Sequence, residues 1–277
     1  MRSTIAFRCL VTSLYAFLLA APLVVIYYSF SPGVVLEVPP RGLTLSWYLN
    51  FLDQPRLVEG TLTSLVVASV STLLALLVGI PAAYALARSD LPGRHLLAAA
   101  LLSPLNLPGL VLAMGMLMFL VAVIQPLLPV SLVGRLPPLL AAHLIITIPW
   151  VVRTVTANLE TVDRAPEEAA RGLGATPAAA FFLVTLPMIR PGVAAASLFA
   201  FIVSFGNFAL SLFFTSGGVT TLPVAIFEYI DQFQDPTIAA VSSLVIVATS
   251  AVVIAAHRVA GFTRPARSER GGGGRTS

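Results

Sequence analysis

Six long apolar runs alternate with short polar stretches along the chain, at roughly 10–30, 61–87, 96–124, 137–156, 192–214 and 237–257. A helix needs about 20 apolar residues to cross the hydrocarbon of a bilayer. Each run is long enough, so the pattern predicts six membrane helices in an all-α protein. The first run follows Arg2 and Arg8 and so begins like a cleaved leader. It is longer than a leader's apolar core and ends in Tyr27-Tyr28, without a small-x-small cleavage site. An uncleaved first span is expected.

The polar stretch between the fourth and fifth runs, 157–190, has its own punctuation. Pro166 suits the first turn of a helix, where its missing N–H costs nothing. Glu167 and Glu168 follow, where carboxylates favour the positive helix end. Ala169 and Ala170 make a surface that another protein can approach closely. Gly172 and Gly174 end the helix, with Gly174 free to turn left-handed. Thr176-Pro177 starts a second helix as N-cap and first residue. That helix is expected to stop near Leu186-Pro187, with Pro191-Gly192 opening the next span. A solvated hairpin without a partner would show similar Gly and Pro punctuation.

Composition agrees with a life in lipid. Of the 277 residues, 57% are hydrophobic and 10% charged, where a soluble domain carries about a quarter charged residues. All sixteen basic residues are Arg. A Walker A phosphate loop needs its Lys, and Schiff-base chemistry needs one too, so both are excluded. Cys9 is the single cysteine, which rules out an internal disulfide and a multi-cysteine metal site. With the N-terminus inside, thirteen of the sixteen arginines fall on inner segments and only Arg41, Arg56 and Arg135 outside. The positive-inside bias therefore predicts cytoplasmic termini and a cytoplasmic 157–190 loop. The Gly-rich tail reads as a flexible end.

Glu168-Ala169-Ala170, three residues, Gly174, nine residues, then Val184-Thr185-Leu186-Pro187 resembles the EAA loop of binding-protein-dependent ABC importer permeases. Only Val184 departs from the family's usual Ile. Gly42-Leu43-Thr44-Leu45-Ser46-Trp47-Tyr48 is similar to the external segment of spermidine/putrescine-type permeases. Thr61–Arg88, ending Ala82-Ala83-Tyr84-Ala85-Leu86-Ala87-Arg88, is similar to the first span of their shared core. The likeness covers about residues 40–258 and falls in the polyamine/opine/phosphonate subgroup, on the shorter of its two permease partners.

The resemblance implies a type I ABC importer permease fold in a bacterial inner membrane, with a coupling helix between spans four and five. It implies a first span and external segment over 1–60, a transmembrane core over 61–258, and a tail over 259–277. The implied partners are a second, similar permease, two ATPase subunits, an external solute-binding protein and membrane lipid, with no nucleic acid. ATP and Mg would be held by the ATPase, no cofactor by this chain, and this chain would catalyse nothing. By position, Glu168 would make the polar contact with the ATPase, Ala169 and Ala170 the close packing, and Gly174 the turn. Leu186 and Pro187 would anchor the element to span five.

Polar residues within spans usually face the bundle interior. Ser197, Ser204, Asn207 and Ser211 are spaced to share one face of a continuous fifth helix, with Gly206 allowing close approach. Span three carries Ser103-Pro104-Leu105-Asn106-Leu107-Pro108, whose prolines interrupt the hydrogen-bond ladder as in discontinuous transporter helices. Ser204, Asn207, Ser211 and Asn106 are candidates for a substrate path. Helix–helix glue is the alternative reading for all of them, and His143 reads as a packing histidine. Polyamine-type relatives carry acidic residues near the Gly206-Asn207 position and this chain has none there. Opines, amino-acid derivatives and other small polar solutes therefore stay open beside polyamines. Glu228, Asp231 and Asp235 are expected in the last external loop, steering cations or simply solvated. A stand-alone secondary transporter or channel is the rival class. It predicts buried ionisable groups and inverted repeats, neither of which is evident. An intramembrane enzyme would need a nucleophile–base or metal constellation.

Overall fold

The structure, a computed structural model, describes residues 2–34, 42–89, 91–215 and 218–259. The expected tail beyond Val259, and Arg41, lie outside the described residues. Twelve helices carry the described chain: α1 (Arg2–Tyr28), α2 (Ser46–Leu52), α3 (Pro55–Arg88), α4 (Arg94–Leu102), α5 (Gly109–Leu127), α6 (Leu136–Thr161), α7 (Ala165–Gly172), α8 (Pro177–Met188), α9 (Arg190–Phe205), α10 (Phe208–Phe214), α11 (Leu222–Gln232) and α12 (Thr237–Val259).

Five of them, in α1, α3, α5, α6 and α12, are long and apolar enough to cross a bilayer unaided. A sixth crossing comes only from a bent pair, α8 and α9, whose axes differ by 75°. Three expectations change here. The third run is not one helix over 96–124, because α4 ends at Leu102, a 3₁₀ turn covers Ser103–Asn106, and the crossing helix starts at Gly109. Pro104 and Pro108 explain the break, since neither can donate to the ladder. The fifth run is likewise not one helix over 192–214. It breaks after Phe205 and restarts at Phe208, with Asn207 as N-cap of α10. The segment holding Glu228 and Asp231 is also not a loop but part of α11.

The centre of the bundle is α3, α6 and α9, which pack on one another more extensively than any other elements. Ala75, Ala83, Val151, Val155, Leu159, Ile189, Ala196 and Ala200 meet there, buried. Small residues let backbones approach where lipid supplies no hydrophobic drive between helices. At Gly79 helix α3 comes close to α6: an added Cβ would lie 2.7 Å from Val151 Cγ1. By contrast α1 is mostly exposed and packs chiefly on α12.

At the face opposite α7, side-chain hydrogen bonds fasten the short helices. Asn50 Nδ2 donates to Thr237 Oγ1 at 2.7 Å, and Tyr229 OH donates to Asp235 Oδ2 at 2.8 Å. Asp235 is thus a structural acceptor. Burial pushes the Tyr229 hydroxyl pKa above its ordinary value, which keeps it a donor. Glu228 faces Arg56 at 3.7 Å.

Gly79→Leu should destabilise the bundle by about 1–3 kcal/mol through overpacking. The thermal midpoint of the detergent-solubilised chain reads this, and an unchanged midpoint would contradict the α3–α6 contact.

Candidate functional site

The α6–α8 segment forms a bracket against the end of α3. Asp163 Oδ1 accepts from Ala165 N at 3.1 Å, and Pro166 occupies the first turn of α7. The helix ends in a Schellman closure: Ala175 N bonds Ala170 O and Gly174 N bonds Arg171 O, both at 3.0 Å. Gly174 takes φ +93°, where a side chain would be strained. Thr176 Oγ1 then accepts from Ala179 N at 3.2 Å and caps α8. This second helix ends at Met188, one residue past Leu186-Pro187. A π turn over Phe181–Thr185 widens the ladder just before Pro187, relieving the clash its ring would make four residues back.

Two neighbouring glutamates have opposite fates. Glu167 is buried at 8% exposure. Its Oε2 accepts from Thr185 Oγ1 at 2.7 Å and its Oε1 accepts from Tyr84 OH. Tyr84 also packs edge-on against Phe181, with ring centroids 4.9 Å apart. Glu168 and Ala169 are exposed, and Ala170 is half-buried. Two arginines strap the connector to α3: Arg88 Nη2 donates to Val162 O at 3.0 Å, and Arg164 Nη2 donates to Ala87 O at 2.7 Å. Leu173, at the turn beside Gly174, is 91% exposed. Leu186 and Pro187 are half-buried near the foot of α9.

The sequence reading missed Glu167, Tyr84, Thr185 and Leu173. Tyr84 lies 83 residues from Glu167, a separation that no local spacing rule reaches. The available signal was a pair of hydroxyls, Tyr84 and Thr185, at the ends of apolar runs with no partner in the local pattern.

Among the candidate path residues, the structure joins Ser204 and Ser211 through His143. His143 Nδ1 lies 2.9 Å from Ser204 Oγ and Nε2 lies 3.4 Å from Ser211 Oγ, all three buried. One imidazole on α6 thereby bridges both halves of the broken fifth run. Asn207 is not in that contact; its Oδ1 accepts from Leu210 N at 2.9 Å. Ser197 is also apart, bonded to Ala194 O at 2.8 Å. Asn106 is exposed in the 3₁₀ turn. Gly206 does not receive a neighbouring helix, since an added Cβ would meet only Ile202 O of its own helix, at 3.4 Å. The two breaks do adjoin, because a Cβ on Gly109 would lie 3.5 Å from Ala209 Cβ. No group of three or more His, Cys, Asp or Glu suited to a metal occurs among the described residues.

A multi-pass all-α bundle with an anchored surface helix and broken central spans defines a membrane permease subunit. Residues 75–264 match the family described as binding-protein-dependent transport system inner membrane component, and the chain belongs to that family. It is similar to the putrescine transport system permease protein PotI of Escherichia coli K12, 30% identical over 86% of this chain and 84% of that protein. The spermidine/putrescine transport system permease protein PotC of the same strain is 28% identical over 90% of this chain and 91% of its own. The fold matches a chain of a bacterial ABC transporter for the import of alginate, with TM-score 0.69 and 18% identity over 95% of this chain and 97% of that one. It also matches a chain of the MetNI methionine ABC transporter, with TM-score 0.60 and 21% identity over 75% and 96%. The fold is that of type I ABC importer permeases, and the chain is an inner-membrane permease subunit rather than an enzyme.

Glu167→Leu should leave two hydroxyls unpaired, at about 1–3 kcal/mol each. Amides across 165–188 should then exchange hydrogen roughly tenfold faster or more, whereas Glu168→Gln should leave them unchanged. Equal exchange in the two variants would contradict the buried clamp.

Proposed function

We propose that α7 is the coupling helix through which partner ATPase subunits drive this permease, with both termini and the 157–190 loop in the cytoplasm. The observation that carries the reading is the division of labour on one helix. Glu167 faces inward and is fastened to α3 and α8, while Glu168, Ala169 and Leu173 stand exposed. A helix held on one side and bare on the other can pass a push from a partner into the bundle. Glu168 offers the polar contact, Ala169 and Ala170 admit close packing, Gly174 sets the turn, and Leu186 with Pro187 lies at the bend into α9. ATP and Mg belong to the partner subunits. The movement is a rigid-body switch between inward- and outward-facing states, biased by the nucleotide state of the ATPase.

The solute is a small polar molecule delivered by an external binding protein, and a di- or polyamine is the first candidate. Two similar permeases are named for putrescine and for spermidine/putrescine. No carboxylate is hydrogen-bonded to the His143, Ser204 and Ser211 group among the described residues. At the break the C-terminal end of α9 at Phe205, which favours positive charge, lies beside the N-terminal end of α10 at Phe208, which favours negative charge. Ser204, Asn207, Ser211 and Asn106 are the residues of this chain nearest such a route. Opines and amino-acid derivatives are the next classes in line.

In vesicles reconstituted with the whole importer, Glu168→Arg should abolish ATP-driven uptake with membrane insertion intact. Uptake at the wild-type rate would remove α7 from the coupling route. Mass spectrometry of the ligand retained by the co-purified binding protein identifies the solute; a polyamine supports the first candidate and an anionic ligand overturns it.

A further inference from the structure

A cavity of about 530 Å³ opens where the end of α3, the start of α4 and the second half of α6 meet, on the membrane face that carries α7. Its polar lining comprises Arg94, His95, Arg153, Arg164, Thr156 and Glu160. Arg164 already gives one nitrogen to Ala87 O. Arg94 and Arg153 make no hydrogen bond or ion pair among the described residues. Thr156 Oγ1 is buried and has no hydrogen-bond partner there. A helical threonine hydroxyl commonly returns to a carbonyl one turn back; that of Thr156, like those of Ser71 and Thr72 in α3, does not. Cations gathered at one site with an idle hydroxyl donor form a receptor for an oxyanion, and guanidinium forks match phosphate geometry.

The surroundings select among phosphates. Beside the cavity, α4 exposes Leu96 at 76% and Leu97 at 49%, an apolar flank on the same helix that carries Arg94. Glu160 on the wall penalises a dianion more than a monoanion. A phosphodiester with acyl chains satisfies both conditions; free inorganic phosphate is partly a dianion at neutral pH and has nothing to lay on the apolar flank. Basic pockets between membrane helices are a general means of holding lipid headgroups.

We propose that this cavity binds the phosphodiester of an anionic phospholipid. Arg94 and Arg153 hold the phosphate oxygens, Thr156 donates its hydroxyl, and the acyl chains lie along Leu96 and Leu97. The bound lipid ties α4 to α6 beside the bracket that carries α7.

The test is lipid retention by the assembled importer, taken from vesicles of phosphatidylglycerol and phosphatidylcholine in equal parts and read by native mass spectrometry. The wild-type complex should retain phosphatidylglycerol, and R94Q/R153Q should lower its occupancy about tenfold or more. Arg190→Gln, which removes an arginine outside the cavity, should match wild type, and R94K/R153K, which keeps the charge but loses the guanidinium forks, should fall between wild type and R94Q/R153Q. Glu160→Gln should increase retention, and this variant decides the matter if R94Q/R153Q fails to assemble. Equal retention in wild type and R94Q/R153Q, or unchanged retention in Glu160→Gln, overturns the site. Displacement of the lipid by added inorganic phosphate assigns the cavity to a free anion and overturns the lipid.

Discussion

A carboxylate taken out of water in a bundle this apolar is tolerable only where donors replace the water it loses. Glu167 meets that condition through the hydroxyls of Tyr84 and Thr185. Each donor sits on a different element, so satisfying one side chain fixes α7 relative to both α3 and α8. Arg88 and Arg164 add bonds across the same junction, each spanning between the end of α3 and the α6–α7 connector. The outward face of α7 is therefore backed by the core of the bundle. In the proposed coupling role, a load on Glu168 or Leu173 would reach α3, the helix that packs most extensively on α6.

The second governing constraint is that backbone polar groups inside lipid need partners within the protein. Two of the apolar runs are broken, at Leu107-Pro108 and at Gly206-Asn207, and the breaks lie side by side. Asn207 closes one of them by capping α10, and His143 joins the helices on either side through Ser204 and Ser211. Helix ends, and the charge preferences that come with them, thereby occur at adjoining breaks within two apolar runs. The residues that look like glue and those that could guide a solute are the same residues, because both tasks need polar groups at the breaks.

Much of this was legible in the sequence for physical reasons. Apolar run length announces a span, and Pro166, Gly174 and Thr176 announce where α7 and α8 begin and end. The fixed spacing from Glu168 to Pro187 carried the family resemblance. What stayed hidden was pairing across long separations. Glu167 looks like one more acidic residue in a first turn until Tyr84 is brought to it. The continuous face drawn through Ser197, Ser204, Asn207 and Ser211 failed because helical periodicity ends where Gly206 does. Span three was read too long for a similar reason: apolar composition continues through 96–108, whereas the hydrogen-bond ladder does not survive two prolines.

The central claim is that α7 and the end of α3 move as one body. Spin labels at Ser89 and Arg171, in a chain with Cys9 replaced by Ser, report their separation by double electron–electron resonance in the whole importer. The mean distance should be the same in nucleotide-free and ATP-trapped complexes, while labels on α7 and the partner permease change theirs. A shift of several ångströms between Ser89 and Arg171 would contradict the account.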